Sequence, residues 1–464
     1  MKESVIKEIA AIVGPKHVLT APEDRWTYAY DATEEAHAPE AVVFPGSAAE
    51  ISRILELAIE HRFPVTPRGA GTGRSGGAVP IAGGVVLVLT RLNRILEISR
   101  LDLVAVVEPG VIVGALKRAV AEQGLYYPPD PSSADFCTIG GNVAECAGGA
   151  VAVQYGVTRD YVLGLEVVLP TGEIIEAGTR TMKGVVGYDL TRLFLGSEGT
   201  LGVITRIVLR LVAKPQARQT LAAGFATLPA AAQAVTDILT SGLAPTALEF
   251  LDQVTLECVR EMLPFKVPPQ TAALLLLAVD GHPRDVEVRA AALARFCRDR
   301  QARPVLRAKT PAEAEQLWQA RQVMSPALKK VKPHKVSEDV AVPLGAIPVL
   351  IDGLQEISRR RGLMIPCYGH AGDGNIHVNV LYDRKVPAER QAVGSTIEDI
   401  FALVRQLHGT LSGEHGVGLT KAPYLGLELS AAAIALQRRI KQAFDPHNIM
   451  NPGKIFPGTG PEKK

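Results

Sequence analysis

The chain has 464 residues, of which 47% are hydrophobic and 21% are charged. A single hydrophobic core does not support that length, so we expect two or three domains. Its 50 basic and 48 acidic residues are well mixed along the sequence, which argues against a nucleic-acid partner. The longest apolar run, AALLLLAV at 272–279, is too short to span a bilayer, so no transmembrane segment is expected.

The cysteine content and the N-terminal segment indicate the cellular compartment of the protein. Five cysteines occur at scattered positions without a C-x-x-C pair, a pattern typical of reduced thiols in the cytoplasm and not of an iron–sulfur cluster. The first residues, MKESVIKEIAAIVG, place acidic side chains inside the apolar pattern and lack a signal-peptide cleavage site. We therefore expect a cytoplasmic protein, either free or held at the periphery of the inner membrane through a partner.

The first clear structural unit lies at residues 41–68. AVVFPG predicts a strand, and Ser47 followed by Glu50 is typical of a capped helix start. Apolar residues then recur at helical spacing, and FPVTPR predicts a second strand. The pattern indicates a strand–helix–strand unit with parallel strands.

Further strands and helices follow along the chain. Strand-like segments at 83–89, 103–110, 163–170 and 200–212 precede a boundary at 214–218, with a short helix at 111–123 between them. Beyond that boundary, strands and helices alternate: strands at 219–226, 246–251 and 272–280, helices at 229–240, 252–262 and 284–302. This alternation predicts a sheet with helices on one face. One more amphipathic helix follows residue 430.

Two glycine-rich stretches suggest a binding site for an extended ligand. PRGAGTGRSGG at 67–77 contains a G-x-G-x-x-G pattern, but AVPIAGGVVLVL follows where a dinucleotide-binding fold needs a helix. What remains is a backbone nest for an anion, or a flexible connector. PPDPSSADFCTIGGNVAECAGGAVAVQYG at 128–156 is a second stretch of this kind. Two such long loops favour function over connection, so they are expected to surround a ligand with phosphates.

The stretch PCYGHAGDGNIHVN at 366–379 carries two histidines around a tight turn. Strand alternation places His377 and Asn379 on one face, opposite Ile376 and its apolar neighbours, and the AGDG turn returns His370 toward His377. Such a pair is either two surface residues or two metal ligands, and a metal site needs a third ligand. Glu414, in SGEHGVG at 412–418, is a candidate, although a solvated turn is the alternative there.

Three motifs together resemble a known FAD-binding domain. PRGAGTGRSGG, PPDPSSADFCTIGGNVAECAGG and LFLGSEGTLGVIT are similar to the vanillyl-alcohol oxidase/p-cresol methylhydroxylase superfamily. Within it, residues 20–455 resemble the family of D-lactate dehydrogenases and glycolate oxidase FAD subunits. The resemblance implies an α+β fold: a two-part FAD-binding domain at 1–213, a ferredoxin-like α+β substrate (cap) domain at 214–420, and a helical C-terminal segment at 421–464 that returns to the flavin.

The resemblance also implies roles for individual residues. FAD contacts would come from Pro67, Arg68, Gly69, Ala70, Gly71, Thr72, Gly73, Ser75, Gly76, Gly77, Pro131, Ser132, Thr138, Gly140, Gly141, Asn142, Gly148, Gly149, Glu198, Ile204 and Asn451. His370, His377 and Glu414 would bind a divalent metal (zinc, manganese or iron), and His415 would be the catalytic base. Substrate contacts would come from Arg321, Ser325, Lys335 and Asn379, with Arg321 and Ser325 one helical turn apart in LWQARQVMSPAL. Cys146 stands where the family has Asn, so a flavin contact is expected to differ.

The implied reaction is metal-assisted oxidation of a small D-2-hydroxy acid, D-lactate or glycolate, to the 2-oxo acid. FAD is expected to be non-covalent, because 67–77 has no histidine and the glycine loops offer backbone rather than a nucleophile. The reduced flavin would need an electron-accepting partner: an iron–sulfur subunit, an electron-transfer flavoprotein or a quinone-linked component. Four alternatives stay open: a D-2-hydroxyglutarate dehydrogenase, an oxygen-using oxidase, a non-catalytic FAD- and metal-binding subunit, and a zinc hydrolase that leaves the glycine loops unexplained.

Overall fold

A computed structural model describes residues 1–456, which fold into two compact units. The first unit comprises residues 1–147, 157–214 and the described residues from Glu414 onward. The second unit comprises residues 148–156 and 215–413. In residues 1–456 no helix combines the length and the apolar character needed to cross a membrane.

Helices and strands are numbered along the chain. The helices are α1 (Glu3–Val13), α2 (Pro22–Trp26), α3 (Ala48–His61), α4 (Val113–Glu122), α5 (Ile139–Glu145), α6 (Ala152–Tyr155), α7 (Leu190–Phe194), α8 (Leu228–Thr240), α9 (Gln253–Val259), α10 (Pro283–Asp299), α11 (Pro311–Gln322), α12 (Met324–Ala327), α13 (Ile347–Arg361), α14 (Pro387–Gln406), α15 (Leu425–Glu428) and α16 (Ala431–Phe444). The strands are β1 (Val18–Leu19), β2 (Ala41–Val43), β3 (Val65–Arg68), β4 (Val85–Val88), β5 (Ile95–Ser99), β6 (Val104–Val107), β7 (Leu125–Tyr126), β8 (Val162–Val168), β9 (Ile174–Gly178), β10 (Val203–Arg210), β11 (Val212–Ala213), β12 (Ala217–Phe225), β13 (Ala247–Asp252), β14 (Ala273–Gly281), β15 (Val305–Arg307), β16 (His334–Ala341), β17 (Cys367–His370) and β18 (Asn375–Tyr382).

The first unit begins with the predicted strand–helix–strand element. The Ser47 hydroxyl accepts from the Glu50 N–H at 3.2 Å, and the Glu50 carboxylate accepts from the Gly46 N–H at 2.7 Å, so α3 starts where the capping pattern predicts. Strands β2 and β3 are parallel, but each pairs with β4, which lies between them in the order β1-β2-β4-β3. This sheet places Arg68, the last residue of β3, at the start of the first glycine-rich stretch, residues 67–77.

A five-stranded antiparallel sheet, β5-β6-β10-β8-β9, completes the framework of the first unit.

The two glycine-rich stretches differ in whether they contain a helix. Residues 69–84, between β3 and β4, contain no helix, in agreement with the prediction that this stretch is not a dinucleotide-binding fold. The second glycine stretch does contain one. Helix α5 starts after Thr138, whose hydroxyl accepts from the Gly141 N–H at 3.2 Å.

The second unit is built on a seven-stranded antiparallel sheet in the order β15-β12-β14-β13-β17-β18-β16. Every residue of β14 from Ala273 to Asp280 is buried, so both faces of its centre are covered. Helices α8 and α10 contact β12 and β14. Leu274 and Leu276, on alternate positions of β14, share a core with residues of α9, α11 and α12. Helices therefore lie on both faces, and the prediction of one covered face is wrong.

The two histidines lie on the hairpin formed by β17 and β18. Their antiparallel register pairs His370 with Asn375 and Tyr368 with His377. Both histidines are buried, with 8% and 6% of their surface exposed, so they are not surface residues of a turn.

Candidate functional site

The first unit contains a cleft between its two glycine-rich stretches. Most residues predicted to contact FAD line this cleft: Pro67, Arg68, Gly69, Ala70, Gly71, Thr72, Gly73, Gly77, Pro131, Ser132, Thr138, Gly140, Gly141, Asn142, Glu198 and Ile204. Residues outside that prediction also line it, among them Pro109, Glu145, Gly199 and Gly202. The third motif, LFLGSEGTLGVIT, also lines the cleft, through residues of the segment 196–202 and of the start of β10.

Glycine is required at particular points of the cleft wall. A Cβ on Gly140 would lie 2.5 Å from Cβ of Pro109 and 3.0 Å from its carbonyl oxygen. At Gly71 the backbone has a positive φ of 70°, and a Cβ there would overlap the Arg68 guanidinium. A ligand in the cleft would therefore meet peptide backbone rather than side chains along these stretches.

Two polar groups in the cleft fit an anionic, heteroaromatic cofactor such as FAD. The Nδ2 group of Asn142 is buried and has no hydrogen-bond partner within residues 1–456, so it is a donor that awaits an acceptor. The Arg68 guanidinium is buried beneath the glycine loop and donates to the Tyr30 carbonyl at 2.7 Å. Burial lowers the pKa of Arg68, and a bound pyrophosphate would compensate the charge there.

The C-terminal segment reaches the glycine loop through Asn451 and Lys454. Asn451 is buried and donates to the carbonyl oxygens of Gly77 (2.8 Å) and Glu198 (2.7 Å), so it braces the loop from behind. The Lys454 ammonium donates to the Val79 carbonyl and, at 3.0 Å, to Asn451 Oδ1. Burial lowers the pKa of Lys454 to about 8.

Other predicted cofactor residues lie away from the cleft lining. Ser75 is fully buried, and the Gly76 backbone packs against Leu419. Gly148 and Gly149 belong to the second unit. Cys146 ends α5 in the left-handed conformation, with φ of 59°, which Asn adopts more readily than most residues.

Glu414 and His415 also line the cleft of the first unit, with their ion-pairing atoms 3.8 Å apart. Gly416, which follows them, has φ of 82°, and a Cβ there would lie 3.0 Å from Glu198 Oε1. The Val417 N–H donates to the same Glu198 carboxylate at 2.7 Å. Burial raises the pKa of Glu198. These contacts hold the SGEHGVG loop close to Glu198. Glycine is therefore required at Gly416, beside the ionisable Glu414 and His415, because its backbone has a positive φ and no room for a side chain.

In the second unit, Arg321, Glu249 and His370 form a buried polar chain on the face covered by α11. Glu249 is fully buried on β13, and one of its oxygens accepts from the Arg321 Nε–H. Its other oxygen lies 2.6 Å from His370 Nδ1. Burial alone would raise the pKa of Glu249, but the charges of Arg321 and His370, with their hydrogen bonds, lower it to about 2. The sequence predicts no role for Glu249, because a single acid in the strand ALEFLD belongs to no recognisable motif.

Arg321 retains a free donor on this face. Its Nη2 group is buried and, within the described part of the chain, has no hydrogen-bond partner. Its guanidinium carbon lies 4.8 Å from the centroid of the Tyr368 ring, which fixes the plane of the group. A buried cationic donor of this kind needs an acceptor, and a carboxylate matches its geometry.

The remaining predicted substrate residues are connected to one another. The Lys335 ammonium donates to Ser325 at its hydroxyl (2.6 Å) and its carbonyl (2.8 Å), and it lies 3.5 Å from Asn379 Oδ1. Lys335 and Asn379 project from adjacent strands β16 and β18. Arg321 and Ser325 do not share one helix as predicted: α11 ends at Gln322 and α12 begins at Met324. Pro326 explains the break, because it cannot donate to the Gln322 carbonyl four residues earlier.

The two histidines are brought together as the hairpin pattern predicts. Their ring centroids lie 5.2 Å apart, and one nitrogen from each ring lies within 4.8 Å of the other. The Tyr368 ring stands 5.2 Å from the His377 ring on the same face of the sheet. Two imidazole nitrogens at this spacing suit a shared divalent cation.

Comparison with protein families gives two matches along the chain. Residues 39–178 match the family described as "FAD binding domain". Residues 214–455, more than half of the chain, match the family described as "FAD linked oxidases, C-terminal domain".

Several curated proteins are similar over nearly their whole length. The chain is 43% identical to glycolate oxidase subunit GlcD of Bacillus subtilis, covering 98% of this chain and 97% of that protein. It is 35% identical to D-lactate dehydrogenase of Anaerostipes hadrus (97% and 96% covered). It is 34% identical to D-2-hydroxyglutarate dehydrogenase of Stutzerimonas stutzeri (98% and 99% covered). These matches confirm the family resemblance drawn from the three motifs.

Solved structures with low sequence identity share the fold. A structure of p-cresol methylhydroxylase with substrate bound has a TM-score of 0.82 at 18% identity and covers 98% of this chain and 96% of its own. A 4-ethylphenol oxidase from Gulosibacter chungangensis has a TM-score of 0.76 at 22% identity, with 99% and 97% covered. The predicted α+β fold of the p-cresol methylhydroxylase type is confirmed.

Proposed function

Because the chain belongs to the FAD linked oxidases, we propose that it oxidises a small 2-hydroxy acid, D-lactate or glycolate, to the 2-oxo acid. The observation that supports this most directly is the buried Nη2 group of Arg321, a cationic donor without an acceptor among residues 1–456. A substrate carboxylate supplies that acceptor. Relatives of similar length named glycolate oxidase subunit and D-lactate dehydrogenase support the same substrate class.

FAD would be held by the cleft of the first unit. The glycine backbone at 69–73 and the buried Arg68 cation would receive the pyrophosphate, and Asn142 Nδ2 would donate to the flavin. When bound, FAD accepts the hydride that leaves the α-carbon of the substrate. We propose non-covalent binding, because the residues of the first glycine-rich stretch that line the cleft include no histidine or cysteine to which a flavin could be attached.

A divalent cation would be held by His370, His377 and Glu414. His370 and His377 offer two nitrogens at ligand spacing, and Glu414 follows Gly413, whose N–H donates to the Asp339 carbonyl on β16 at 2.8 Å. This backbone contact anchors the residue before Glu414 to the strand that pairs with β18. When bound, the cation lowers the pKa of the substrate hydroxyl as a Lewis acid. The donor set suits zinc, manganese or iron.

The chain's own residues then bind the substrate and move one proton. Arg321 would bind the substrate carboxylate through Nη2, while Lys335, oriented by Ser325, would contribute a second positive charge to the same end. Asn379 would form a hydrogen bond with the substrate. His415, which follows Glu414 and lines the FAD cleft, would take the hydroxyl proton as general base.

The electrons would leave through a partner. No cysteine pattern along the chain supports an iron–sulfur cluster, so the acceptor would be an iron–sulfur subunit, an electron-transfer flavoprotein or a quinone-linked component. The relatives of Bacillus subtilis and Escherichia coli are named subunits of a glycolate oxidase, which supports an assembly of this kind.

The proposal is tested by adding D-lactate, glycolate and D-2-hydroxyglutarate separately to the purified protein without oxygen. We expect the flavin absorbance to bleach with at least one of them and the matching 2-oxo acid to form in equal amount. Denaturation and filtration of the same sample should release the flavin. If no acid of the panel reduces the flavin, the chain does not oxidise 2-hydroxy acids of this class.

A further inference from the structure

We propose that Glu249 is a positioning residue that sets the proton of His370 and the orientation of Arg321 with its two carboxylate oxygens. The inference deepens the proposed function, because it concerns the residues that would hold the cation and the substrate carboxylate. It rests on contacts within the second unit alone.

The geometry gives each oxygen of Glu249 one partner. One oxygen accepts from Arg321 Nε–H, and the other lies 2.6 Å from His370 Nδ1. Glu249 is fully buried, on a central strand of the sheet, so water does not compete for either oxygen. The carboxylate therefore bridges a residue 72 positions away and one 121 positions away along the chain.

This contact fixes which nitrogen of His370 carries the proton. An ionised carboxylate only accepts hydrogen bonds, so Nδ1 must donate to it. In the neutral imidazole the other nitrogen, Nε2, then carries a lone pair. Metal-bound histidines in proteins commonly show this pattern, with a carboxylate on the nitrogen that does not bind the cation. Glu249 thus prepares Nε2 of His370 as a ligand.

The same carboxylate leaves part of Arg321 for the substrate. It engages Nε, while Nη2 stays buried without a partner within residues 1–456. The Tyr368 ring, 4.8 Å from the guanidinium carbon, limits rotation of the fork. A guanidinium whose Nε is held by a carboxylate presents Nη2 to a second carboxylate in a fixed direction, which a solvated arginine does not do.

The test variant is Glu249→Gln. Its amide has one accepting oxygen and one donating nitrogen, so it cannot accept from both neighbours. Arg321 has no accepting atom, so the amide oxygen should stay on Arg321 and the amide nitrogen should donate to His370 Nδ1. The His370 proton then moves to Nε2, where it blocks the ligand position. The matched control is Asp252→Asn on the same strand: Asp252 is a buried acid whose partners are Thr255 and the Cys367 N–H, outside this chain of contacts.

The experiment titrates metal-free protein with Zn²⁺ and measures the dissociation constant. We expect Glu249→Gln to bind Zn²⁺ about tenfold to a hundredfold more weakly, the range found for carboxylates behind metal-binding histidines. The KM for D-lactate should change less, because the Arg321 contact remains. Asp252→Asn should match the wild type. Equal Zn²⁺ affinity in folded Glu249→Gln and wild type would overturn the proposal.

The proton positions on His370 can also be measured in the wild type, which does not require Glu249→Gln to fold. In metal-free protein with ¹⁵N-labelled histidine, the neutral form of His370 should show a protonated Nδ1 and an unprotonated Nε2. His370→Gln identifies those signals. A neutral imidazole with its proton on Nε2 would refute the role of Glu249. Failure of wild-type protein to bind Zn²⁺ or oxidise hydroxy acids would instead refute the proposed function, and the nitrogen signals would still decide the role of Glu249.

Discussion

Replacing Arg321 with Lys should raise the KM for D-lactate strongly and leave the FAD content unchanged. The lysine ammonium keeps the positive charge that the buried Glu249 carboxylate needs, so the second unit should stay folded. Removing the charge altogether would break a buried ion pair and leave Glu249 only its contact with His370, and breaking a buried ion pair typically costs about 3–5 kcal/mol. Lysine is therefore the substitution that isolates geometry from charge.

The size of the effect follows from the contacts of the guanidinium. Arg321 engages Glu249 through Nε, and its Nη2, which has no partner within residues 1–456, would bind the substrate. One ammonium cannot reach both groups in fixed directions. Hydrogen bonds to charged groups contribute about 1.5–3 kcal/mol each. Loss of one such bond to the substrate corresponds to a rise in KM of about tenfold to about a hundredfold.

The assay is steady-state oxidation of D-lactate with an artificial electron acceptor, together with the flavin absorbance of each preparation. The matched control is Arg218→Lys, since Arg218 also lies over an aromatic ring of the second unit, 5.0 Å from the centroid of Trp318, away from the Glu249 contacts. We expect the control to keep its KM. An unchanged KM in Arg321→Lys would remove Arg321 from the substrate site.

Three further predictions concern the metal, the cleft and pH. Glu414→Gln should lower the metal content, measured by elemental analysis. His415→Asn should keep metal and FAD but slow flavin reduction, measured by stopped flow, by about a hundredfold. Loss of metal in His415→Asn with metal retained in Glu414→Gln would exchange the two roles. Gly140→Ala should reduce FAD content because its Cβ has no room, whereas Gly394→Ala, with open space around it, should not; equal flavin-to-protein ratios would contradict this. Burial lowers the pKa of Lys454 to about 8, below the ordinary lysine value of about 10.4, so the unfolded chain binds the extra proton between these pH values. Relative to Lys454→Met, the wild-type free energy of unfolding should therefore rise with pH there, by up to about 1.4 kcal/mol per pH unit, and parallel urea-melt curves would refute it.

The features that the sequence predicts well are those set by local spacing. Strand alternation around a glycine-rich turn places His370 and His377 on one hairpin, and their side chains meet across its two strands. The Ser47 and Glu50 pair likewise marks the start of α3, because both capping contacts lie within four residues. Glycine without a following helix correctly excludes a dinucleotide-binding fold at 69–84.

Features that depend on distant contacts escape such prediction. Glu249 acts through residues 72 and 121 positions away, and its own strand reads as apolar packing. Helix α5 forms despite two glycines, because Thr138 caps it and its apolar side is buried. Pro326 does predict a break between α11 and α12. The helical spacing of Arg321 and Ser325 suggests one continuous helix instead, so the two local patterns disagree. The sequence also misses the helices that cover the face carrying Glu249. The alternation of strands and helices shows that helices pack on the sheet, but it does not show on which face each helix lies.

We expect bound FAD to take a hydride from the α-carbon of a D-2-hydroxy acid. Stopped-flow reduction without oxygen measures this step when D-lactate, its α-deuterated form and L-lactate are compared. We predict rapid bleaching of the flavin by D-lactate, slower bleaching by the deuterated substrate and none by L-lactate. A flavin that stays oxidised with D-lactate, glycolate and D-2-hydroxyglutarate alike, in protein that holds its FAD and metal, would refute hydride transfer from a 2-hydroxy acid to the flavin.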